Sequence, residues 1–356
     1  MERHYRYFRT FMFPVLSSAG SRQADMDLVA SEPITSIDLM ERAAQACTAR
    51  LLQLHGPEIP ILVLCGMGNN GGDGLAIARM LHQAGRLVRV VLIRNRPDPS
   101  AETRVNIDRL VDVGLPAVQV EPGSFRYEPL DREVVIDALF GSGLDRPISG
   151  ETKRVIEAVN AKAERIISID LPSGLFCEDN EGNDPSAIVQ ADHVLTVGAV
   201  KLALLLPENE RFVGSWELVP IGYPVHGGIH GARMAVTEAT DVAGVLPDRT
   251  RFMHKGNAGH ALLVAGSEGK TGAAILAAKA CARSGVGLVS LHTRTGDTAA
   301  VYVAVPECMQ FVGDPFAPPL WSEQAHFDAV AIGPGIGTSP EAVALVKRLI
   351  HSGARN

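Results

Sequence analysis

The sequence predicts an α/β fold in which helices cover both faces of a parallel sheet. Five short runs of aliphatic and β-branched residues recur along the first part of the chain, and stretches with helical periodicity separate them. Unbroken apolar strands that alternate with helices are typical of a parallel sheet buried on both faces. We therefore expect a doubly wound, three-layer sandwich. The predicted strands are residues 61–65, 88–93, 134–138, 166–170 and 193–197, with helices such as 74–84 and 151–163 between them.

A second βα pattern follows a segment that is rich in glycine and proline. Residues 219–232 read VPIGYPVHGGIHGA and lack periodicity, which is typical of an interdomain linker. A chain of 356 residues is long enough for two domains. The sequence predicts them at 15–225 and 232–356, with the boundary near Gly231. In the second domain we expect strands at 261–265, 288–292 and 329–332 and helices at 273–284 and 340–350.

Composition argues against several classes of protein. With a net charge of -7 and 5% aromatic residues, the chain lacks the basic, aromatic surface that binds nucleic acid. No run approaches the roughly 20 apolar residues of a membrane span, so we expect no membrane partner. The five scattered cysteines form no CxxC pair, which predicts reduced thiols in a cytoplasmic protein. The start of the chain, up to Leu16, has too short an apolar run for a signal peptide and is expected to be an over-extended start or a flexible arm.

The first predicted strand leads into a glycine-rich segment. Gly66, Gly68 and Gly71 have GxGxxG spacing between a strand and a helix, which favours binding of a phosphate by backbone amides. A tight turn without a ligand is the alternative. A dinucleotide-dependent dehydrogenase is disfavoured, because its acidic residue after the second strand is replaced here by the RNR sequence at 94–96.

Two further strands deliver carboxylates to the same edge of the sheet. Asp137 ends the third strand, and Asp170 ends the fourth. Ligands of open parallel sheets bind at this edge, so a functional role is favoured over the alternative of turn or helix capping. Asn70, Asp137 and Ser173 together offer three hard oxygen ligands, which suit a hard cation rather than zinc or copper. Lys201 is expected to cap an element or line the rim of the pocket.

Four motifs now identify a resemblance. The motifs LMERAA, GNNGGDG, DALFGSGLDRP and IDLPSG resemble the NAD(P)H-hydrate epimerase family, also called the YjeF N-terminal domain, over roughly residues 15–225. The resemblance implies a Rossmann-like sandwich that forms a homodimer or higher homo-oligomer. It also implies interconversion of the R and S forms of NADHX and NADPHX, in which the nicotinamide ring is hydrated at C6.

The resemblance also implies the residues of the site. One potassium ion per epimerase domain would be bound by Asn70, Asp137 and Ser173. Because a proton must move at C6, we hypothesise that Asp170 is the catalytic acid and base. The hydrated nucleotide would contact Asp170 together with Asn69, Asn70, Gly71, Gly72, Asp73, Gly141, Ser142, Gly143, Leu144, Asp145, Arg146 and Pro147.

The second half resembles the ADP-dependent NAD(P)H-hydrate dehydratase domain, which has a ribokinase-like fold. The motifs are HKGNAGHALLVAGS, TGAAILAAKACARSGVGLVSLHT and AIGPGIG. Ala273 and Gly335 would contact the hydrated nucleotide. The later motifs of that family, which supply the ADP pocket and a catalytic aspartate, would lie beyond residue 356. We therefore expect a truncated domain without ADP-dependent dehydration, and ADP or ATP with Mg²⁺ as cofactors only of a complete domain.

A catalytically inactive scaffold of the same fold is the remaining alternative. Such a module would bind nucleotides or partners without turning over a substrate. The presence of Asn70, Asp137, Asp170 and Ser173 favours an enzyme over a scaffold.

Overall fold

The computed structural model describes residues 13–94, 96–120, 123–223, 232–246, 248–293, 298–312 and 327–352. The chain divides into two compact units that separate between Val245 and Leu246. This point lies further along the chain than the boundary predicted near Gly231. Residues 1–12 and most of the predicted linker, including Gly231, lie outside the described residues.

The first unit contains a seven-stranded sheet in which every neighbouring pair is parallel. All five predicted strands belong to it, and the predicted fold class is confirmed. The spatial order is β4–β3–β2–β5–β6–β7–β9. The strands are β2 (Ile61–Cys65), β3 (Val88–Ile93), β4 (Val118–Val120), β5 (Val134–Ala138), β6 (Arg165–Ile169), β7 (His193–Val197) and β9 (Ser215–Val219).

Helices form layers on both faces of this sheet. Helices α2 (Ser36–Leu54), α3 (Asn69–Gln83) and α4 (Ala101–Asp112) pack on one face through an apolar core that includes Leu51 and Leu75. Helix α5 (Gly150–Lys162) packs on the opposite face. Helix α1 (Ser18–Ser31) precedes these layers, and the short helices α6 (Glu210–Val213) and α7 (Ala239–Val245) follow them.

A second, three-stranded sheet involves the start of the described chain. Strand β1 (Phe13–Leu16) pairs in parallel with β8 (Val200–Lys201) and antiparallel with β10 (Met234–Val236). The expectation of an over-extended start or flexible arm is therefore wrong for Phe13–Leu16. Backbone pairing with two strands from distant parts of the sequence orders this segment, and a short apolar run does not reveal such pairing.

The segment GNNGGDG begins a helix instead of forming a loop. Helix α3 starts at Asn69, five residues before the predicted start at Gly74, and Gly68 is its N-cap. Its glycines permit close packing, because a Cβ on Gly71 would lie 1.8 Å from the carbonyl oxygen of Gly66. The helix begins earlier than the sequence predicts because glycine lowers helix propensity, whereas the close approach of the backbones requires glycine here.

The second unit contains a four-stranded parallel sheet in the order β13–β12–β11–β14. The strands are β11 (His260–Val264), β12 (Leu288–Thr293), β13 (Met309–Val312) and β14 (Ala329–Ile332), and the helices are α8 (Thr271–Arg283), α9 (Thr298–Ala304) and α10 (Pro340–Ser352).

Every helix in the described ranges of the chain is too short or too polar to cross a membrane.

A substitution at Gly74 can test the close packing of α3 on the sheet. A Cβ at this position would lie 2.5 Å from Cβ of Ala138 in β5. We expect Gly74→Ala to lower the free energy of unfolding by about 1–3 kcal/mol, despite the better helix propensity of alanine. The measurement is urea unfolding followed by circular dichroism. Gly143→Ala is the control, because a Cβ on Gly143 meets no atom within 4 Å. Equal stability of the two variants would contradict the packing argument.

Candidate functional site

Three strand ends converge beside the first turn of α3. The side-chain amide of Asn70 donates to the carbonyl oxygen of Ile169, the last residue of β6 (3.2 Å). The main-chain N–H of Ser142, beyond β5, donates to Oδ2 of Asp170 (2.8 Å). A Cβ on Gly141 would lie 2.7 Å from the same oxygen and 3.2 Å from Cγ of Asn70. The structure thus brings Asn70, Gly141, Ser142 and Asp170 together.

Asp170 occupies a constrained position directly after β6. Its φ is 72°, in the left-handed region that few residues other than glycine adopt, at a cost of about 1–3 kcal/mol. Predicted as the last residue of a strand, Asp170 instead forms the turn after it. Its main-chain N–H donates to the carbonyl oxygen of Leu195 (2.8 Å), which fixes the turn against β7.

Asp170 forms an ion pair with Lys201 through Oδ1. Only 13% of the Asp170 side chain and 2% of the Lys201 side chain are exposed. Burial by itself would raise the pKa of Asp170, but the charge of Lys201 and the hydrogen bonds from Lys201 and Ser142 outweigh burial and lower it. Asp170 is therefore an ionised carboxylate at neutral pH.

The position of Lys201 differs from the sequence-based expectation. The side chain is buried instead of lining a rim. Lys201 is the N-cap residue of the short 3₁₀ helix Leu202–Leu205, but its side chain makes no capping hydrogen bond there. Its ammonium group donates to the carbonyl oxygen of Val197 (2.7 Å) and to Oγ1 of Thr196 (3.3 Å). Its backbone pairs with Leu16 of β1. A lysine inside the apolar run VGAVKLALLLP was the available signal, since a lysine is seldom fully buried without a partner.

Asp137 is satisfied by hydrogen bonds alone. Its carboxylate accepts from Oγ and N–H of Ser173 (2.5 and 2.8 Å) and from Oγ of Ser168 (2.7 Å). No ion pair with Asp137 occurs in the part of the chain that the structure describes. Burial raises the pKa of Asp137, and the hydrogen bonds from Ser173, Ser168 and Leu139 oppose that rise only in part. The fully buried carboxyl thus lacks a compensating positive charge.

The remaining predicted residues of α3 differ in their surroundings. Asn69 is exposed, whereas Gly71 and Gly72 are buried. A Cβ on Gly72 would lie 2.8 Å from Sδ of Met40, so this glycine faces α2 rather than the three strand ends. Asp73 is half-buried. Burial, followed by repulsion from Asp170 and Asp25, raises the pKa of Asp73 well above its usual range.

The loop after β5 extends from the strand ends to the surface. Gly141 and Ser142 contact Asp170, and Leu144 packs against the core beneath α5. The other predicted residues of the loop, which are Gly143, Asp145, Arg146 and Pro147, are exposed.

In the second unit, Ala273 and Gly335 lie side by side. Gly335 has a φ of 72°, and a Cβ on it would lie 3.0 Å from Cβ of Ala273. Oγ of Ser267 donates to the carbonyl oxygen of Gly335 (2.5 Å). A cavity of about 250 Å³ adjoins this contact at the carboxyl ends of β11, β12 and β14, lined in part by Gly266, Ser267, His292, Ile336 and Ser339.

Comparisons with known proteins agree with the two units. The family described as YjeF-related protein N-terminus matches residues 36–203, and the family described as NAD(P)H-hydrate dehydratase matches residues 261–353. The bifunctional NAD(P)H-hydrate repair enzyme Nnr of Thermofilum pendens is 34% identical over 88% of this chain and 61% of its own. The corresponding enzyme of Salinibacter ruber is 31% identical over 95% of this chain and 67% of its own.

A solved structure matches in part. The ADP/ATP-dependent NAD(P)H-hydrate dehydratase of Bacillus subtilis, co-crystallised with ATP and Mg²⁺, is 30% identical over 32% of this chain and 40% of that chain, with a TM-score of 0.29.

The two units and the two family matches define an α/β protein that joins a YjeF-related N-terminal region to a region of the NAD(P)H-hydrate dehydratase family. The chain belongs to the bifunctional NAD(P)H-hydrate repair enzyme family, and the predicted resemblance is confirmed. Its epimerase and dehydratase domains are both represented. The chain spans about 60% of the length of the curated relatives it matches.

The contribution of the Lys201–Asp170 ion pair can be tested by measuring the free energy of unfolding of variants. Lys201→Met leaves a buried carboxylate without its partner and should lower the free energy of unfolding by about 3–5 kcal/mol at neutral pH. Because the pKa of Asp170 is lowered by folding, the loss should shrink as the pH falls and the carboxyl becomes protonated. Urea unfolding at several pH values measures both effects.

The double variant Asp170→Asn with Lys201→Met should recover part of the loss, because neither charge remains. Lys153→Met is the control, since Lys153 forms a more exposed pair with Asp184 and its loss should cost about 1 kcal/mol or less. Equal effects of the two lysine substitutions would show that the buried pair has no special role.

Proposed function

We propose that the first unit interconverts the R and S forms of NADHX and NADPHX. The ionised Asp170 at the meeting point of three strand ends carries this proposal. The ion pair with Lys201 keeps the Asp170 carboxylate charged, and the hydrogen bond from the main-chain N–H of Ser142 fixes one oxygen of that carboxylate. A fixed carboxylate beside a glycine-rich helix start suits proton transfer on a bound nucleotide.

Inversion at C6 requires one bond of the carbinolamine to break and to re-form on the opposite face. Either the C–O bond breaks and water returns, or the ring opens at the C–N bond and closes again. Both routes move a proton at the C6 oxygen. When the ring opens, Asp170 takes the hydroxyl proton as the C6–N bond breaks and returns it when the ring closes. When the C–O bond breaks instead, hydroxide leaves, and Asp170 takes a proton from the water that adds to the opposite face and passes it to that hydroxide. Lys201 keeps the carboxylate ionised between turnovers.

The start of α3 supplies the binding site for phosphate in this proposal. Gly68 is the N-cap, so the N–H groups of the first turn have no partners within the helix. These donors and the positive end of the helix dipole favour the pyrophosphate of the substrate. The exposed Arg146 in the loop after β5 offers a second contact for phosphate.

Potassium binding by Asn70, Asp137 and Ser173 is part of the proposal. The proposed ligand atoms of these three residues are all oxygens, which suits a hard cation. The buried charge of Asp137 has no cationic partner among the described residues, and a bound cation would neutralise it. When bound, the ion would supply positive charge beside the site. Among the described residues, no group of three or more His, Cys, Asp or Glu side chains is arranged to hold a metal ion.

For the second unit, we propose that Ala273 and Gly335 contact the hydrated nucleotide. Their close approach beside the cavity at the strand ends supports this. Use of ADP or ATP with Mg²⁺ belongs to the same proposal. Cytoplasmic location and assembly as a homodimer complete the functional proposal. The absence of disulfides among the five cysteines supports a reducing compartment.

Gly141 offers a sharp test of the epimerase site. Gly141→Ala pushes a Cβ to 2.7 Å from Oδ2 of Asp170, whereas Gly143→Ala in the same loop meets no atom within 4 Å. We expect Gly141→Ala to lower kcat for epimerisation by about 10²-fold, because a small displacement misplaces the catalytic carboxylate. Gly143→Ala should lower kcat much less, because it leaves the Asp170 carboxylate in place and changes only an exposed part of the loop. The assay follows conversion of purified S-NADHX into the R form, and equal activities would contradict the assigned geometry.

The same assay separates the alternative functions. A scaffold would leave the S form unchanged, and a dehydrogenase would cause net oxidation of the nicotinamide ring. An epimerase produces an R and S mixture without oxidation.

Potassium binding can be tested without substrate. We expect the melting temperature of the first unit to be higher in KCl than in NaCl at equal ionic strength, because a cation that binds the folded state stabilises it. Asn70→Ala should abolish this difference, whereas Asn69→Ala, which changes an exposed neighbour, should retain it. Each kcal/mol of stabilisation should raise the melting temperature by about 2–4 °C. A difference that survives in Asn70→Ala would exclude this residue as a ligand.

A further inference from the structure

The strand order of the large sheet sets the direction in which a bound dinucleotide would lie. Numbered in chain order, the first six strands of this sheet have the spatial order 3-2-1-4-5-6, which is β4–β3–β2–β5–β6–β7. In sheets with this order, a dinucleotide binds across the carboxyl ends of the strands at the point where the order reverses, here between β2 and β5. Its pyrophosphate lies at the start of the helix that follows the first strand, which is α3.

The proposed catalytic carboxylate determines on which side each half of the dinucleotide lies. Asp170 follows β6, on the β5 side of the reversal point, so the nicotinamide half extends in that direction. The adenosine half then extends to the opposite side, over the carboxyl end of β3. Strands β6 and β3 are three strand spacings apart, a distance of about 14 Å. The residues that follow β3 therefore lie beside the adenosine ribose in the proposed function.

Two exposed arginines, Arg94 and Arg96, follow the last residue of β3. The guanidinium of Arg94 donates to the carbonyl oxygen of Pro97 (3.4 Å), and Nε of Arg96 donates to the carbonyl oxygen of Asp98 (2.7 Å). Among the described residues, neither guanidinium pairs with a carboxylate. The carboxylate of Asp98 instead pairs with Nη2 of Arg104 over 3.6 Å. Each guanidinium has five N–H donors, so these bonds leave donors for a ligand.

The connection that carries the two arginines lies against the start of α3. The main-chain N–H of Ser100 donates to the carbonyl oxygen of Met67 (2.9 Å). Oγ1 of Thr103 donates to the carbonyl oxygen of Gly68, the N-cap of α3 (2.8 Å). These bonds hold the connection between β3 and α4 beside the proposed binding site for pyrophosphate.

The charge that follows β3 distinguishes the two forms of the substrate. The adenosine ribose of NADHX has a free 2′-hydroxyl, and that of NADPHX has a phosphate at the same position. In dinucleotide-binding sheets, an acidic residue near this point binds the ribose hydroxyl, whereas an arginine accommodates the phosphate. A guanidinium can donate two parallel hydrogen bonds to a phosphate. Arg94 and Arg96 therefore suit the phosphorylated form.

We propose that Arg94 and Arg96 bind the 2′-phosphate of the adenosine ribose and make NADPHX the preferred substrate of the first unit. The inference rests on the proposed epimerase function, which by itself leaves the choice between NADHX and NADPHX open. The two arginines lie at the opposite end of the substrate from C6, so they contribute to binding and take no part in moving the proton. Their loss should raise KM and leave kcat unchanged.

Epimerisation of purified S-NADPHX and S-NADHX by the full chain tests this specificity. We expect kcat/KM of the wild type to be at least about 10-fold higher for S-NADPHX. The double variant Arg94→Gln with Arg96→Gln should lose about 10–100-fold in kcat/KM for S-NADPHX through a higher KM, and should stay within about two-fold on S-NADHX. The control is Arg132→Gln with Arg165→Gln, which removes two exposed arginines from the opposite, amino-terminal edge of the sheet and should change neither value.

A second measurement needs no turnover. Adenosine 2′,5′-bisphosphate carries the 2′-phosphate, and AMP lacks it. In isothermal titration calorimetry, the full chain should bind the bisphosphate at least about 10-fold more tightly than AMP, and Arg94→Gln with Arg96→Gln should remove this difference.

Two results would overturn the proposal. One is a wild type with equal kcat/KM for the two substrates and equal affinity for the two nucleotides. The other is a double variant that loses activity equally on both substrates or keeps the preference for the bisphosphate. Absence of epimerisation by the wild type would instead refute the proposed function, and calorimetry would still decide whether Arg94 and Arg96 bind a 2′-phosphate.

Discussion

The ion pair of Asp170 with Lys201 is the interaction on which the rest of the site depends. A buried carboxylate and a buried ammonium are each costly, and together they are tolerated because each neutralises the other. The geometry that joins them needs two sheets. The large sheet ends β6 just before Asp170, and the small sheet holds the backbone of Lys201 beside β1. The fold therefore sets the charge state of the proposed catalytic group.

The carboxyl groups around this pair are stabilised in different ways. Asp170 is ionised because it has a cation, and Asp137 relies on serine hydroxyls and backbone N–H groups. These differences allow neighbouring carboxyl groups to hold different charges at one pH, which is how enzymes separate the roles of acid, base and ligand. In the proposed function, Asp170 moves the proton and Asp137 contributes to cation binding.

The sequence predicted the large sheet well because its strands are continuous apolar runs, which burial on both faces demands. Asp170 and Asn70 could be predicted as neighbours because parallel strands end at one edge. Lys201 could not be placed in the same way. Its partner lies far away in sequence, and the short strand β1 becomes visible only through its pairing. The glycines of α3 predict a loop by their low helix propensity, and close packing against the sheet outweighs that propensity in the structure.

The most direct test of the account is stereochemical equilibration of purified S-NADHX by the wild type and by Asp170→Asn, followed by chromatographic separation of the R and S forms. The account predicts that the wild type forms the R and S mixture without net oxidation. It also predicts that Asp170→Asn, which keeps the size of the side chain but cannot take a proton, loses about 10²–10⁴-fold in rate. Full epimerase activity in Asp170→Asn would contradict the assignment of Asp170 as the group that moves the proton.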